Sequence, residues 1–350
     1  MFFKIPRALA IPILTVLILT LFTNAATVQE VIAERPELSR FNAITTRFPA
    51  VLRDLTVAGG TLLAPNNDAV SSFIASAGIP DVASITEASA RELLSYHVLP
   101  LALRSTDLSR SGGALADTSL LDDRLANLQG SPNVVFASAF GSTGQEVAPS
   151  GLKIYSGVGT PSNVTTQDVV FDDGYLHVID RVLNFPRPCT ETAEAASLSR
   201  LLRALERANL TEAVDTTPKF TCFAPTDAAF QRAGIDVETL SPQTLANALM
   251  YHSIVGDVGY STAFEDGREY QTLLGVNVTV HKRAGQLFIN DVAVLQGNVI
   301  MSNGVAHVLD GADPCPAIGP VTSHNTYIQR NIEYSAHYNN QHPSSSNVGQ

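Results

Sequence analysis

Tryptophan is absent from the 350 residues, which removes the ring best suited to stacking on sugars and leaves any such platform to tyrosine. Basic charge is scarce too: 22 Lys and Arg stand against 33 Asp and Glu, a formal charge of −11. A phosphate backbone needs a basic face, so nucleic acid is excluded as a partner, and the acidity reads as a solubility feature. The three cysteines are too far apart to make a metal cluster. No Asp/Glu group has calcium-loop spacing, and Asp122-Asp123 and Asp172-Asp173 read as solvated turns. There is no Arg-Gly-Asp tripeptide, no Gly-x-Ser-x-Gly nucleophile elbow and no helix with paired metal ligands. No cofactor is expected.

What is present begins with an address. Lys4 and Arg7 precede an apolar run from Ala8 to Phe22, and Thr23-Asn24-Ala25-Ala26 offers small residues to a signal peptidase. The run is broken by Pro12 and falls short of the roughly 20 residues that span a bilayer, so residues 1–26 are expected to be a cleaved signal peptide, with a retained anchor as the alternative. The chain ends on the polar Ser344 to Gln350, unlike a lipid-anchor signal, and no membrane anchor is expected in the mature form. Export gives meaning to three glycosylation sequons, at Asn163, Asn209 and Asn277.

The chain also repeats itself. Thr61 to Val70 (TLLAPNNDAV) returns as Thr221 to Phe230 (TCFAPTDAAF), Tyr96-His97 as Tyr251-His252, and Tyr175 to Asp180 (YLHVID) as Val305 to Asp310 (VAHVLD). Three landmarks in one order, twice, mark a tandem duplication. Residues kept in both copies are more simply read as scaffold than as a catalytic site, which is usually needed once.

These landmarks resemble those of the fasciclin domain family: a strand ending in Ala-Pro-(Thr/Asn), a Tyr-His pair closing a helix, and a terminal Asn-Gly-x-x-His-Val segment. The second copy is the closer match; the first has Leu63, Val70 and Asp173 where the pattern has Phe, Phe and Asn. The resemblance implies an α+β fold of two fasciclin-like domains, each with N-terminal helices packed on a small antiparallel β-sandwich or wedge. It further implies a non-enzymatic adhesion or matrix-association role, like that of secreted two-domain fasciclin proteins of fungi. The division expected is a first domain over 27–184, a linker over 185–190, a second domain over 191–313 and a disordered polar tail over 314–350. The partner implied is an extracellular-matrix or cell-wall protein or glycan, with the vacuole lumen as the alternative location.

His97, His177 and Asp180 in one copy, and His252, His307 and Asp310 in the other, can be drawn as general bases held by carboxylates. That pattern would serve a secreted hydrolase or lyase. The apolar neighbours Val178-Ile179 and Val308-Leu309 favour structural histidines instead, and in the family these segments, with Tyr96 and Tyr251, are also adhesion-related. A third reading is a wall-resident or vacuolar scaffold with no specific ligand. Cys189 and Cys315 flank the second repeat, and domain ends commonly lie close together. An oxidising compartment is expected to join them and to leave Cys222 as a buried thiol.

Local pattern fills in the elements. Leu198, Leu201, Leu202, Leu205 and Ala208 make one helical face opposed by Arg200, Arg203 and Arg207, whose charged face is expected to be only solvated. Thr226 or Asp227 can cap the helix after Pro225, Ser241-Pro242 can open the next one, and Ser84 to Glu87 can form a capping box. Val276, Val278 and Val280 alternate as in a strand, so helices come first and an antiparallel sheet closes the domain. Between its two motif histidines the first copy is about 25 residues longer than the second, around Ser111-Gly112-Gly113, Gly141 to Gly144 and Gly157 to Pro161. That excess is expected to be surface loop.

Overall fold

The computed structural model describes residues 26–56, 59–122, 124–145 and 150–311. The leader up to residue 25 and the tail from 312, Cys315 included, lie outside the described residues. The first domain comprises helices α1 (Val28–Ala33), α2 (Ser39–Arg47) and α3 (Pro49–Thr56), strand β1 (Gly60–Pro65), helices α4 (Asn67–Ser76) and α5 (Glu87–His97), strand β2 (Val98–Leu99) and helix α6 (Ser105–Leu108). Strands β3 (Ala114–Asp117), β4 (Val134–Ser138), β5 (Lys153–Tyr155), β6 (Pro161–Phe171) and β7 (Gly174–Ile179) complete it. The second has helices α7 (Cys189–Ala195), α8 (Ser199–Ala208) and α9 (Thr211–Thr216), strand β8 (Phe220–Pro225), and helices α10 (Asp227–Arg232) and α11 (Pro242–Tyr251). Its remaining strands are β9 (Ser253–Val255), β10 (Glu269–Gln271), β11 (Asn277–Arg283), β12 (Gln286–Ile289), β13 (Val292–Met301) and β14 (Gly304–Leu309).

The duplication is exact in topology. One seven-stranded sheet runs β2-β1-β7-β6-β5-β4-β3 and the other β9-β8-β14-β13-β12-β11-β10. The α+β class is as expected, but neither sheet is purely antiparallel. In each, the early Ala-Pro strand lies parallel to the last strand, with Leu63 opposite His177 and Phe223 opposite His307. Parallel neighbours need a long crossover, and here most of the domain is that crossover.

The Ala-Pro motif explains itself at this junction. Asn66 and Thr226 each cap the helix that follows, accepting from Ala69 N at 2.8 Å and Ala229 N at 3.1 Å. The next residue caps a different helix: Asn67 Oδ1 accepts from Arg40 N, and Asp227 Oδ1 from Arg200 N, both at 2.9 Å. Two adjacent polar side chains thus fasten two helix starts to one strand end. For α5 the cap is Thr86, accepting from Ser89 N at 3.2 Å, while Ser84 ends a separate 3₁₀ turn capped by Asp81. The helix therefore starts two residues later than expected, with a single threonine cap in place of the expected box.

In α8 the side chains of Leu201, Ala204 and Leu205 are buried. Its opposite face does more than meet solvent. Arg207 donates to the carbonyls of Val237 and Leu240, Arg200 to that of Ile235, and Arg203 pairs with Glu238 at 2.7 Å. Together they clamp the connection between α10 and α11. The expectation of a merely solvated face missed this because the carbonyl acceptors come from a segment some 30 residues away.

The expected surface loops of the first domain are largely buried. Gly141, Thr143, Gly144, Gly157 and Gly159 are all buried: Thr143 and Gly159 lie against Gly297 and Gln296 of the second domain, Gly157 against the joint at Phe185, and Gly144 against Gly112 and Gly113 of its own domain. Gln296 donates to Gly159 O at 2.7 Å, Gly297 N to Ser142 Oγ at 3.0 Å, and Asn298 Nδ2 to Ser142 O at 2.7 Å. Beneath these bonds, Val134, Phe136 and Tyr155 of the first domain share an apolar cluster with Tyr260, Ile300 and Val305 of the second. The approach depends on glycine: a Cβ at Gly297 would sit 2.6 Å from Thr143 Cγ2, and one at Gly159 would sit 2.5 Å from Gln296 Nε2. The joint is equally occupied. Phe185 stacks on Tyr96 at 5.8 Å, Ser302 N donates to Arg187 O at 2.9 Å, and Cys189 already belongs to a helix.

Candidate functional site

The motif histidines sit beside the parallel strand pair, and backbone groups hold them. His97, the last residue of α5, has Nδ1 2.8 Å from Leu93 O and accepts through Nε2 from Leu183 N at 3.0 Å. An acceptor on one nitrogen and a donor on the other fix a neutral tautomer. Burial lowers its pKa to about 4. His177 repeats the arrangement in β7: Nε2 meets Leu103 O at 3.0 Å and Nδ1 accepts from Asp168 N at 3.2 Å. Its pKa is also lowered, chiefly by burial.

In the second domain His252 Nδ1 lies 2.8 Å from Ala248 O. His307 in β14 places Nε2 2.7 Å from Gly259 O, among the rings of Phe223 and Phe264. Its Nδ1 is buried with no hydrogen-bond partner, and burial lowers its pKa to about 4.

Around each strand histidine lies a clamp that the motifs did not reveal. Nine residues before His177 stands Asp168, whose carboxylate accepts from Ser105 N at 2.7 Å and Ser105 Oγ at 2.5 Å. Nine residues before His307 stands Asn298, which accepts from Ser261 N at 2.9 Å and donates to Ser261 Oγ at 2.7 Å. Asp168 and Asn298 both have left-handed backbones, φ 57° and 52°. Thr61 and Thr221 complete the pattern, accepting from Leu103 N at 2.7 Å and Gly259 N at 2.8 Å, the residues whose carbonyls meet the histidines. The equal spacing was present in the sequence; the Asp-to-Asn exchange hid it.

The carboxylates drawn with these histidines are engaged elsewhere. Asp180 accepts from Asn163 N and Nδ2, both at 2.7 Å, and Asp310 pairs with Arg232 at 2.6 Å. The structure therefore does not bring together the His/Asp pairs that the alternative catalytic reading drew: side chains three residues apart along a strand end point to opposite faces of the sheet. Tyr96 donates to Val134 O at 3.2 Å, and burial raises its pKa. Tyr251 OH accepts from Asn290 Nδ2 at 3.0 Å. Asn303, ahead of the last strand, donates to Val214 O at 2.8 Å and Thr217 O at 2.7 Å.

The sequon asparagines differ in setting. Asn163 and Asn277 are exposed on strands, but their amides donate to Asp180 and to Glu269, the latter at 2.8 Å. Asn209 is exposed in the left-handed C-cap of α8. Cys189 and Cys222 are both buried free thiols; the expected bond from Cys189 to Cys315 has its second partner outside the described residues.

An open cavity of about 320 Å³ beside β7 is lined by Arg104, Asp107, Asp172, Asp173 and Tyr175 among others. Arg104 Nε crosses it to Tyr175 OH at 2.7 Å. Among the described residues, no group of three or more His, Cys, Asp and Glu is placed to hold a metal. None of the described helices is long and apolar enough to cross a membrane.

Helices laid over a mixed seven-stranded sheet, duplicated with the same strand order and the same buried histidine clamps, define a tandem-domain scaffold. A sequence model of the Fasciclin domain matches residues 36–186 and 196–312, and the chain belongs to that family. It is 30% identical over 295 residues to the fasciclin-like arabinogalactan protein elcF of Phaeosphaeria nodorum, covering 84% of this chain and 90% of that one. A fasciclin-like arabinogalactan protein of Arthroderma benhamiae is 29% identical over 308 residues, covering 85% of this chain and 70% of that one. Human periostin is 27% identical over 143 residues, 39% of this chain and 17% of its own. Among solved structures, a FAS1 domain pair from the insect cell adhesion molecule fasciclin I aligns over 80% of this chain and 96% of its own, at 21% identity and a TM-score of 0.36.

Proposed function

We propose that this is a secreted, glycosylated adhesion protein that attaches to a cell-wall or matrix glycan or protein, with its two domains acting as one surface. The observation that carries this reading is the seam between the domains. Three hydrogen bonds and a shared apolar cluster fix their mutual orientation, so contacts made by both domains need no further ordering of one against the other. The multivalency is that of a rigid pair and not of two modules on a tether.

The supporting observations are independent of one another. The leader and sequons fit an exported chain, and two of the relatives are fasciclin-like arabinogalactan proteins. The hydrolase or lyase reading requires a carboxylate-oriented histidine near a nucleophile. His97 and His177 instead have both nitrogens bonded to backbone, and Asp180 and Asp310 serve other partners.

The test is co-sedimentation of the purified full-length chain with insoluble glucan, chitin and intact fungal walls, alongside binding to matrix-protein coats. Retention on at least one surface, competed by soluble fragments of the same polymer or protein, is the expected result. Failure to be retained on any of them sinks the adhesion reading.

A further inference from the structure

The second domain brings two of the chain's three cysteines side by side. Cys189 opens α7 directly after Pro188, and Cys222 is the third residue of β8. Their side chains are 3% and 6% exposed and belong to the same core cluster. The two thiols are within hydrogen-bonding reach of each other and face one small apolar cavity together with Leu201, Met301 and Val308. Contact with Cys222 and then burial push the Cys189 thiol well above its ordinary pKa, so the pair is neither a ready nucleophile nor a thiolate ligand.

We propose that Cys189 and Cys222 form a disulfide within the second domain, fastening the first helix after the joint to strand β8. A disulfide needs two sulfurs that can close to about 2.0 Å from backbones already near one another. Two thiols in contact, with a void beside them, meet that condition after a rotamer adjustment. Both are inaccessible once the core has closed, so the bond forms during folding. One cysteine thiolate attacks a sulfur of an oxidant disulfide such as glutathione disulfide, making a mixed disulfide and releasing one glutathione thiolate. The second cysteine then attacks the protein sulfur of that mixed disulfide, closing the Cys189–Cys222 bond and releasing the second glutathione. The two cysteine protons leave with the two glutathiones, which take up the two electrons. Cys315 is left as the odd thiol.

Refolding of the reduced full-length chain in a buffer rich in glutathione disulfide tests this without reliance on export. After thiols are blocked in denaturant, trypsin without reduction places Cys189, Cys222 and Cys315 on peptides 182–200, 220–232 and 284–330. A linked 182–200/220–232 pair with an alkylated 284–330 is expected. A link from 182–200 to 284–330, or three alkylated cysteines, overturns the proposal. A Cys315→Ala chain should keep the same linked pair, and its Tm should be about 5 to 10 °C lower when refolded with reductant. The same Tm with and without reductant in that variant also overturns the proposal. The Cys189→Ala/Cys222→Ala chain should show no dependence on reductant, and a shift that persists there counts against it equally.

Discussion

Replacing Asn298 with Asp exchanges one isosteric side chain for another and tests the domain seam directly. Asn298 is fully buried and uses three partners: Oδ1 accepts from Ser261 N, while Nδ2 donates to Ser261 Oγ and to Ser142 O across the seam. The first domain shows what a carboxylate does at this place, because Asp168 takes both Ser105 N–H and Ser105 O–H. In Asn298→Asp the Ser261 hydroxyl can rotate and donate, so that bond is repaired. Ser142 O cannot be repaired, since a carbonyl then faces a carboxylate and both are acceptors. One unsatisfied buried acceptor costs about 1–3 kcal/mol, and the buried charge adds to that, offset in part by the Lys282 ammonium, which donates to Ser261 O at 3.2 Å. A loss of about 2–4 kcal/mol at pH 7 is expected. The two Ser261 donors favour the ionised form, as the Ser105 donors do for the exposed Asp168, whose pKa is lowered, but full burial and the facing carbonyl raise the folded-state pKa of the new carboxyl, and its protonated form can donate to Ser142 O. The deficit relative to wild type therefore shrinks as pH falls through that raised value. Denaturant unfolding followed by circular dichroism at pH 7 and pH 5 measures both effects. A variant within 0.5 kcal/mol of wild type at pH 7, or a deficit that grows on acidification, would refute the reasoning about Ser142.

Burial lowers the pKa of His97 and His307 from the ordinary 6.5 to about 4. Their neutral state therefore contributes full stability above pH 6.5, and this is lost as pH falls toward 4, by about 3 kcal/mol for each group; equal unfolding free energies at pH 7 and pH 4.5 would contradict it. His307→Ala leaves Gly259 O unpaired and should cost roughly 1–3 kcal/mol, with any surface binding falling only in proportion to folded protein, as a binding assay normalised to the folded fraction will read. Gly297→Ala drives a Cβ against Thr143, and calorimetry should show the seam weakened as a less cooperative transition; an unchanged endotherm tells against the close packing.

Duplication and family were legible because the capping pair after Ala-Pro and the strand histidines recur at matching positions. The seam was not, because Gly141 to Gly144 has the composition of an exposed turn. The same small residues are what two backbones need when they approach closely. Asp168 and Asn298 escaped notice for a related reason: they look unlike as letters yet occupy one left-handed position and grip one serine each. Long-range partners, such as the carbonyls clamped by Arg207, leave no local periodicity to read.

The parallel pairing of first and last strands also sets a timetable for synthesis. Neither sheet can be joined at its centre until β7 or β14 has left the ribosome, so each domain waits for its own final residues before closing. After Ile179 the first domain can close, yet Val134, Phe136 and Tyr155 remain uncovered until Ile300 and Val305 arrive. At about 5–20 residues per second that delay is on the order of 10 s. During it, the half-made protein presents an apolar patch that a chaperone can hold.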